Sequence, residues 1–280
     1  MQLDAFAELA GGLDHPEGVA LGPDGLVYAG GEAGQVYRIG ADGSVTEIAT
    51  TGGFMYGVAL DADLNVYACD FGNASVARIT HSGDVSTYSS GTSDRPMRVP
   101  NFAAFDDEGN LYVTDSGEWG SDDGLIYRIA AGGTTTVWTE ASSRFPNGCC
   151  LSADGGALYV VESLGRAISR IAIADDGSPG AVEQIADLTG SQPDGIALAS
   201  DGSLIVGHYR PDRLSVIRTD GSVEVLAEDP DGVVLNQPAN IVFAGEGLSE
   251  IVVSSLGGWS LMNADVGLTG VALRYPKLLP

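Results

Sequence analysis

Pro16-Glu17-Gly18-Val19-Ala20-Leu21, then the turn Pro23-Asp24-Gly25, then Leu26-Val27-Tyr28-Ala29, is the phrase whose recurrence decides the fold. It joins a turn residue to a short small/apolar strand, a polar turn and a second strand. It returns as Met55-Tyr56-Gly57-Val58-Ala59-Leu60 and Pro100-Asn101-Phe102-Ala103-Ala104-Phe105. Further copies are Pro146-Asn147-Gly148-Cys149-Cys150-Leu151, Pro193-Asp194-Gly195-Ile196-Ala197-Leu198 and Pro238-Ala239-Asn240-Ile241-Val242-Phe243. Taking the second residue of each copy as a marker gives positions 17, 56, 101, 147, 194 and 239, separated by 39, 45, 46, 47 and 45 residues. A period of about 40–50 residues with four strands per unit is the signature of propeller blades. The spacing predicts an all-β, six-bladed β-propeller with four-stranded blades, read as one domain over residues 1–280.

Third and fourth strands follow in most copies. In the first they are Gln35-Val36-Tyr37-Arg38-Ile39 and, beyond the Asp42-Gly43 turn, Val45-Thr46-Glu47-Ile48. Asp-Gly pairs supply the positive φ that tight hairpins demand. The sixth copy is short: after Ile251–Val253 the next clear strand reads as Gly270–Tyr275. An N-terminal strand, Ala5–Leu9, is expected to complete that blade and tie the ring shut, removing an exposed edge. Small residues such as Gly18, Gly57, Gly148 and Gly195 mark the innermost strands, where blades converge and large side chains do not fit.

Composition narrows the function. Lys+Arg number 13 and Asp+Glu 38, a net charge of −25 at pH 7, so the surface repels nucleic acid and anionic membranes. Solubility accounts for such a surface; it also welcomes a fixed cation. Cys69, Cys149 and Cys150 make no disulfide framework or zinc spacing and read as small buried apolar residues. The N-terminus has no basic region followed by an apolar stretch, and no run approaches the ~18 apolar residues of a membrane span. These features point to a soluble, cytoplasmic protein. They are silent on its oligomeric state.

In a propeller the six markers ring one mouth of the central channel. They are Glu17, Tyr56, Asn101, Asn147, Asp194 and Ala239. Singly, Pro-Glu, Pro-Asn and Pro-Asp are ordinary turn-to-strand dipeptides. Together, two carboxylates and two amide oxygens form a donor set for a hard divalent cation that takes 6–8 oxygens, and Ca²⁺ fits best. The absence of His and Cys at these positions argues against a dedicated zinc site.

The chain resembles the SMP-30/gluconolactonase family, which includes regucalcin-like lactonases, and is close in plan to the diisopropyl-fluorophosphatase type. The phrases that carry the resemblance are Pro16-Glu17-Gly18, Phe145-Pro146-Asn147-Gly148 with Leu158-Tyr159-Val160, Pro193-Asp194-Gly195 and Leu256-Gly257-Gly258-Trp259. It implies that Glu17, Asn101, Asn147 and Asp194 hold a divalent ion, usually Ca²⁺, with Asp194 either the candidate general base or a ligand only. The chain departs from the family pattern at Asn101-Phe102-Ala103, where many members carry Asn-Asp-Gly. Arg98 stands three residues before Asn101, against two for the family's substrate-binding arginine.

The leading expectation is therefore a metal-dependent hydrolase of lactones or related esters acting on a small-molecule substrate. The alternatives are an organophosphate hydrolase or other secondary-metabolite enzyme of the same family, and a non-catalytic ligand-binding propeller. Substrate contacts are expected from Arg98, Glu118, Trp119, Tyr56 and His208, with Tyr209 nearby. His208 reads either as a proton shuttle or as a hydrogen-bonded structural residue. Glu32, Asp70, Asp115 and Glu162 follow second strands on the same face, and His15 and His81 read as turn residues.

Overall fold

The computed structural model describes residues 1–278. Six four-stranded antiparallel sheets form the blades, and the innermost strands of consecutive blades touch around a complete circle. These strands are Val19–Leu21, Met55–Leu60, Pro100–Phe105, Pro146–Leu151, Gln192–Leu198 and Pro238–Ala244. The second strands are packed on both faces by neighbouring blades, so they are apolar on both: Val66–Asp70 and Leu111–Asp115 are buried throughout. The fourth strands form the outer wall, and Val45–Thr50 has no buried residue.

Blade turns consume much of the acidic charge. Asp61 accepts from the Asn65 backbone and amide at 2.9 and 2.7 Å, and Asp106 does the same for Asn110 at 2.8 and 2.7 Å. Buried Tyr28 and Tyr67 donate to Asp24 and Asp61 in turn.

The ring closes as expected, with a shift in position. Ala7–Gly11 pairs antiparallel with Ser260–Asp265, and Leu3–Ala5 is a single 3₁₀ turn. The third strand of blade 6 is Ser260–Asp265, not Gly270–Tyr275. Ala7–Gly11 takes its free edge, so the later apolar segment has no ladder to join. It runs instead as a strap across the end of the channel remote from the markers. Val271 N donates to Leu198 O at 3.0 Å, Arg274 to Ser152 O at 2.9 Å, Tyr275 Oη to Leu21 O at 2.8 Å, and Ala62 N to Pro276 O at 3.0 Å. Four residues, Val271, Arg274, Tyr275 and Pro276, thus bridge blades 5, 4, 1 and 2. Between strap and markers lies a cavity of about 320 Å³, lined by residues such as Val58, Phe102, Ile196 and Phe243.

Candidate active site

Glycines that follow four of the six markers let neighbouring blades meet closely. A Cβ on Gly18 would sit 2.0 Å from Tyr56 O, one on Gly57 2.8 Å from Asn101 O, and one on Gly148 2.7 Å from Asp194 O. Real Cβ atoms do not approach backbone that closely, so larger residues would push adjacent markers apart.

Local irregularity aims the marker side chains. Pairing of innermost with second strand slips between Met55 and Val58, Pro100 and Phe102, Pro146 and Cys149, and Pro193 and Ile196. Tyr56, Asn101, Asn147 and Asp194 therefore stand in bulges, outside the ladder, where a bulge re-aims a side chain. Hydroxyls satisfy the displaced backbone. Thr114 Oγ1 accepts from Phe102 N at 3.0 Å and donates to Asn147 O at 2.8 Å. Ser254 does the same between Asn240 N and Glu17 O, at 2.8 and 2.6 Å. Each hydroxyl serves its own bulge and carries the next blade's marker.

Glu17, Asn101, Asn147 and Asp194 are all buried. Asn147 Nδ2 donates to Ser163 Oγ at 3.2 Å, which fixes the amide and turns its oxygen away from that bond. Among the described residues, Asn101 Oδ1, Asn147 Oδ1 and Asp194 Oδ1 have no partner. An unpaired buried polar atom costs about 1–3 kcal/mol, and native interiors hold few of them. Three at one repeat position make a set of acceptors awaiting a donor or a cation. The acids are also close enough to feel each other. Burial pushes Glu17 well above the usual carboxylate range, and Asp194 adds to the push. Burial lifts Asp194 to about 7, with the Asn147 amide holding it down in part. Two carboxylates buried together retain a proton near neutrality unless a positive charge joins them. The fit of this donor set to a hard divalent cation is good: oxygen only, two acids and two amides, of which Asn147 is held by Ser163.

A model of the "SMP-30/Gluconolactonase/LRE-like region" matches residues 32–257. The chain belongs to this family. A shorter match to the strictosidine synthase-like N-terminal region covers residues 5–39. The lactonase drp35 of Staphylococcus aureus (strain MW2) is 30% identical over 122 residues, 42% of this chain and 38% of that relative's length. Among solved structures, a gluconolactonase from Xanthomonas campestris superposes with a TM-score of 0.80 at 19% identity, covering 94% of this chain and 89% of that one. Regucalcin from Agrobacterium tumefaciens, described as a calcium-binding protein, gives 0.78 at 20% identity with 98% of both chains covered. At these identities the structural likeness speaks for the fold.

Other expected site residues of this SMP-30/gluconolactonase-family chain are placed unequally. Tyr56 faces the acid pair: burial raises its phenol, and Glu17 and Asp194 raise it further. Arg98 and Glu118 lie on the rim and are half-exposed or more. Arg98 pairs with Asp123 and, at 3.6 Å, with Glu118 itself, so the two spend their charges locally. Trp119 packs edge-on against Phe145 at 4.7 Å.

His208 is not at the mouth surface. It is 1% exposed, with both ring nitrogens 2.9 Å from serine hydroxyls, Nδ1 from Ser191 and Nε2 from Ser215. It pairs with Pro193 across the ladder as Asp70 does with Met55, Asp115 with Pro100 and Glu162 with Pro146. Those carboxylates tie down loops: Asp115 accepts from Arg98 N and Val99 N at 2.7 and 2.9 Å, and Asp70 from Phe54 N at 3.2 Å. His208 fills the same bracing position with a neutral ring and has no nitrogen free for substrate. Burial, then Arg213, lowers it to about 4. The unfolded chain protonates it near 6.5. Above pH 6.5 it makes no difference. Between 6.5 and about 4 the unfolded state binds the extra proton, so its contribution erodes stability by up to about 1.4 kcal/mol per pH unit. Urea unfolding at pH 7 and pH 5 is expected to show a smaller acid-side loss in His208→Gln than in wild type.

Sequence reasoning missed several mouth residues. Phe54 and Phe71 pack on Tyr56, and Gln237 Nε2 donates to Tyr209 Oη at 3.3 Å. Asn240, fully buried with neither amide atom partnered, follows the blade-6 marker Ala239. A signal existed for Asn240 alone, a polar side chain where four other copies carry glycine and one phenylalanine. His15, expected only as a turn residue, has its Nδ1 2.7 Å from Glu32 and its ring 4.4 Å from that of Trp259. Asp14, His15 and Glu32 present ligand-type atoms within 4.8 Å of one another. Asp14 is already engaged by Ala33 N and Gln35 Nε2, at 3.0 and 3.1 Å. Cys69 and Cys149 are buried and Cys150 half-buried, all as free thiols.

Proposed function

We propose that this chain is a metal-dependent hydrolase of lactones or related esters, working at the mouth ringed by Glu17, Asn101, Asn147 and Asp194. The observation that carries the reading is the trio of unpartnered buried oxygens on Asn101, Asn147 and Asp194 beside two carboxylates that burial holds above their usual range. Family membership and the lactonase and gluconolactonase relatives support it, and the calcium-binding relative supports Ca²⁺ as the ion. A divalent ion bound to these four oxygens would polarise a substrate carbonyl and stabilise the oxyanion that develops.

The chain's own groups supply the rest. Asp194, as carboxylate, takes one proton from a water whose oxygen adds to the carbonyl carbon. The ring C–O bond then breaks, and the same proton passes from Asp194 to the departing alkoxide, leaving a hydroxy acid and the starting carboxylate. Asn147, held by Ser163, keeps its oxygen fixed toward the ion. The Tyr56 phenol stays protonated through the working range and is a hydrogen-bond donor to the substrate.

Elemental analysis of the purified protein, followed by a lactone panel with and without chelator, tests the reading. Stoichiometric Ca²⁺ and chelator-sensitive ring opening are expected. Bound metal without lactone turnover would move the assignment to organophosphates or another substrate class. A chain that takes up no metal would be a ligand-binding propeller.

A further inference from the structure

Among the described residues, only three aromatic side chains are exposed: Phe71, Trp119 and Trp259, at 38%, 55% and 45%. All three stand on loops that follow second strands, in blades 2, 3 and 6, and those loops share the face that bears the marker ring. Exposed valines elsewhere are mostly on outermost strands, as with Val45, Val85, Val182, Val223 and Val225, where the blade edge meets water. Scattered surface apolar residues need no explanation, but aromatic surface gathered on one functional face does.

On blade 2 this surface is continuous from solvent to the acid pair. Phe71 stacks on Tyr56 with ring centroids 5.3 Å apart and planes 8° from parallel. Phe54 meets Tyr56 edge-on at 4.9 Å. Tyr56 is the blade-2 marker, and its phenol feels both Glu17 and Asp194. A substrate seated here therefore meets a three-ring apolar wall directly beside the proposed chemistry. That wall offers one hydroxyl. A polyhydroxylated lactone would leave most of its hydroxyls against carbon, without the partners that buried polar groups require. The one arginine expected to bind substrate, Arg98, is engaged by Asp123 and Glu118. The net charge of −25 disfavours an anionic substrate.

We propose that this mouth selects neutral lactones or esters carrying a flat apolar substituent, which Phe54, Tyr56 and Phe71 seat while the carbonyl faces Glu17 and Asp194. This names the substrate class of the hydrolase reading and rests on it. Burying a phenyl group against such a wall is worth on the order of 10-fold or more in kcat/KM.

The test compares kcat/KM of the Ca²⁺-loaded full chain for two lactones of equal ring size, a phenyl-substituted δ-valerolactone and glucono-δ-lactone. The aryl lactone is expected to be favoured at least ~10-fold. Phe71→Ser, at an exposed position with little folding cost, should cut the aryl-to-sugar ratio at least ~5-fold, chiefly through the aryl KM. Phe71→Tyr, which keeps the ring, should restore most of that ratio. Preference for glucono-δ-lactone, or a ratio unmoved by Phe71→Ser, overturns the aromatic seat and leaves the hydrolase reading standing. No hydrolysis of either lactone overturns both.

Discussion

Asp194→Ala is expected to lower lactone turnover by about 10³-fold or more, with the far-ultraviolet β signal and thermal midpoint held at or above those of metal-free wild type. Two losses combine in that substitution. The proposed base disappears, and positioned proton transfer contributes roughly 10²–10⁴-fold. One of two acidic oxygens offered to the cation goes with it. Stability should move the other way in metal-free protein. Asp194 is a buried carboxylate lifted to about 7, lying against Glu17, with one oxygen unpartnered. Removing such a group relieves desolvation and repulsion rather than breaking a favourable pair. Single-turnover assays beside circular dichroism separate chemistry from folding. Turnover within 10-fold of wild type would remove Asp194 from the mechanism.

Ca²⁺ is expected to stabilise the wild-type chain strongly and Glu17→Gln scarcely at all. An ion that binds only the folded state adds about 2.7 kcal/mol at 100 times its Kd, which scanning calorimetry reads as a rise in Tm. The pH dependence follows from the same two acids. Their folded pKa values are raised, so in metal-free protein the native state holds protons that the unfolded state has released. Their contribution is present below the unfolded values near 4 and is lost as pH rises, for Asp194 through about 7. Bound Ca²⁺ should reverse that trend by favouring the ionised forms. Glu17→Gln keeps the shape and one oxygen but deletes a charge, so both the calcium shift and the pH trend should shrink. A calcium response in Glu17→Gln equal to wild type would place the cation elsewhere in the molecule.

Much of the fold was legible because a propeller repeats its instructions. The six copies from Pro16-Glu17-Gly18 onward each state a turn, an inner strand and a second strand, and the blades follow at those positions. The four oxygen-bearing markers were legible for the same reason: a repeat position becomes a ring position. The closing strand is legible in sequence, but it begins two residues later than the pattern suggests, since Leu3–Ala5 forms a turn before the ladder begins. Gly270–Tyr275 misled because apolar residues that cross a channel end read like a strand. Only the prior pairing of Ala7–Gly11 with Ser260–Asp265 denies them one.

The amino-acid order by itself determined the blade count, the small residues at the hub and the oxygen-bearing side chains at the marker positions, since all three depend on what recurs at a fixed period. The tertiary structure alone decided which of those oxygens are unpartnered, that His208 braces a blade while Asp194 lies close enough to Glu17 to raise it, and that Phe54 and Phe71 join Tyr56 in one wall. Those outcomes depend on bulges and on contacts between residues distant in the chain, where a one-residue slip in register sends a side chain to the opposite face.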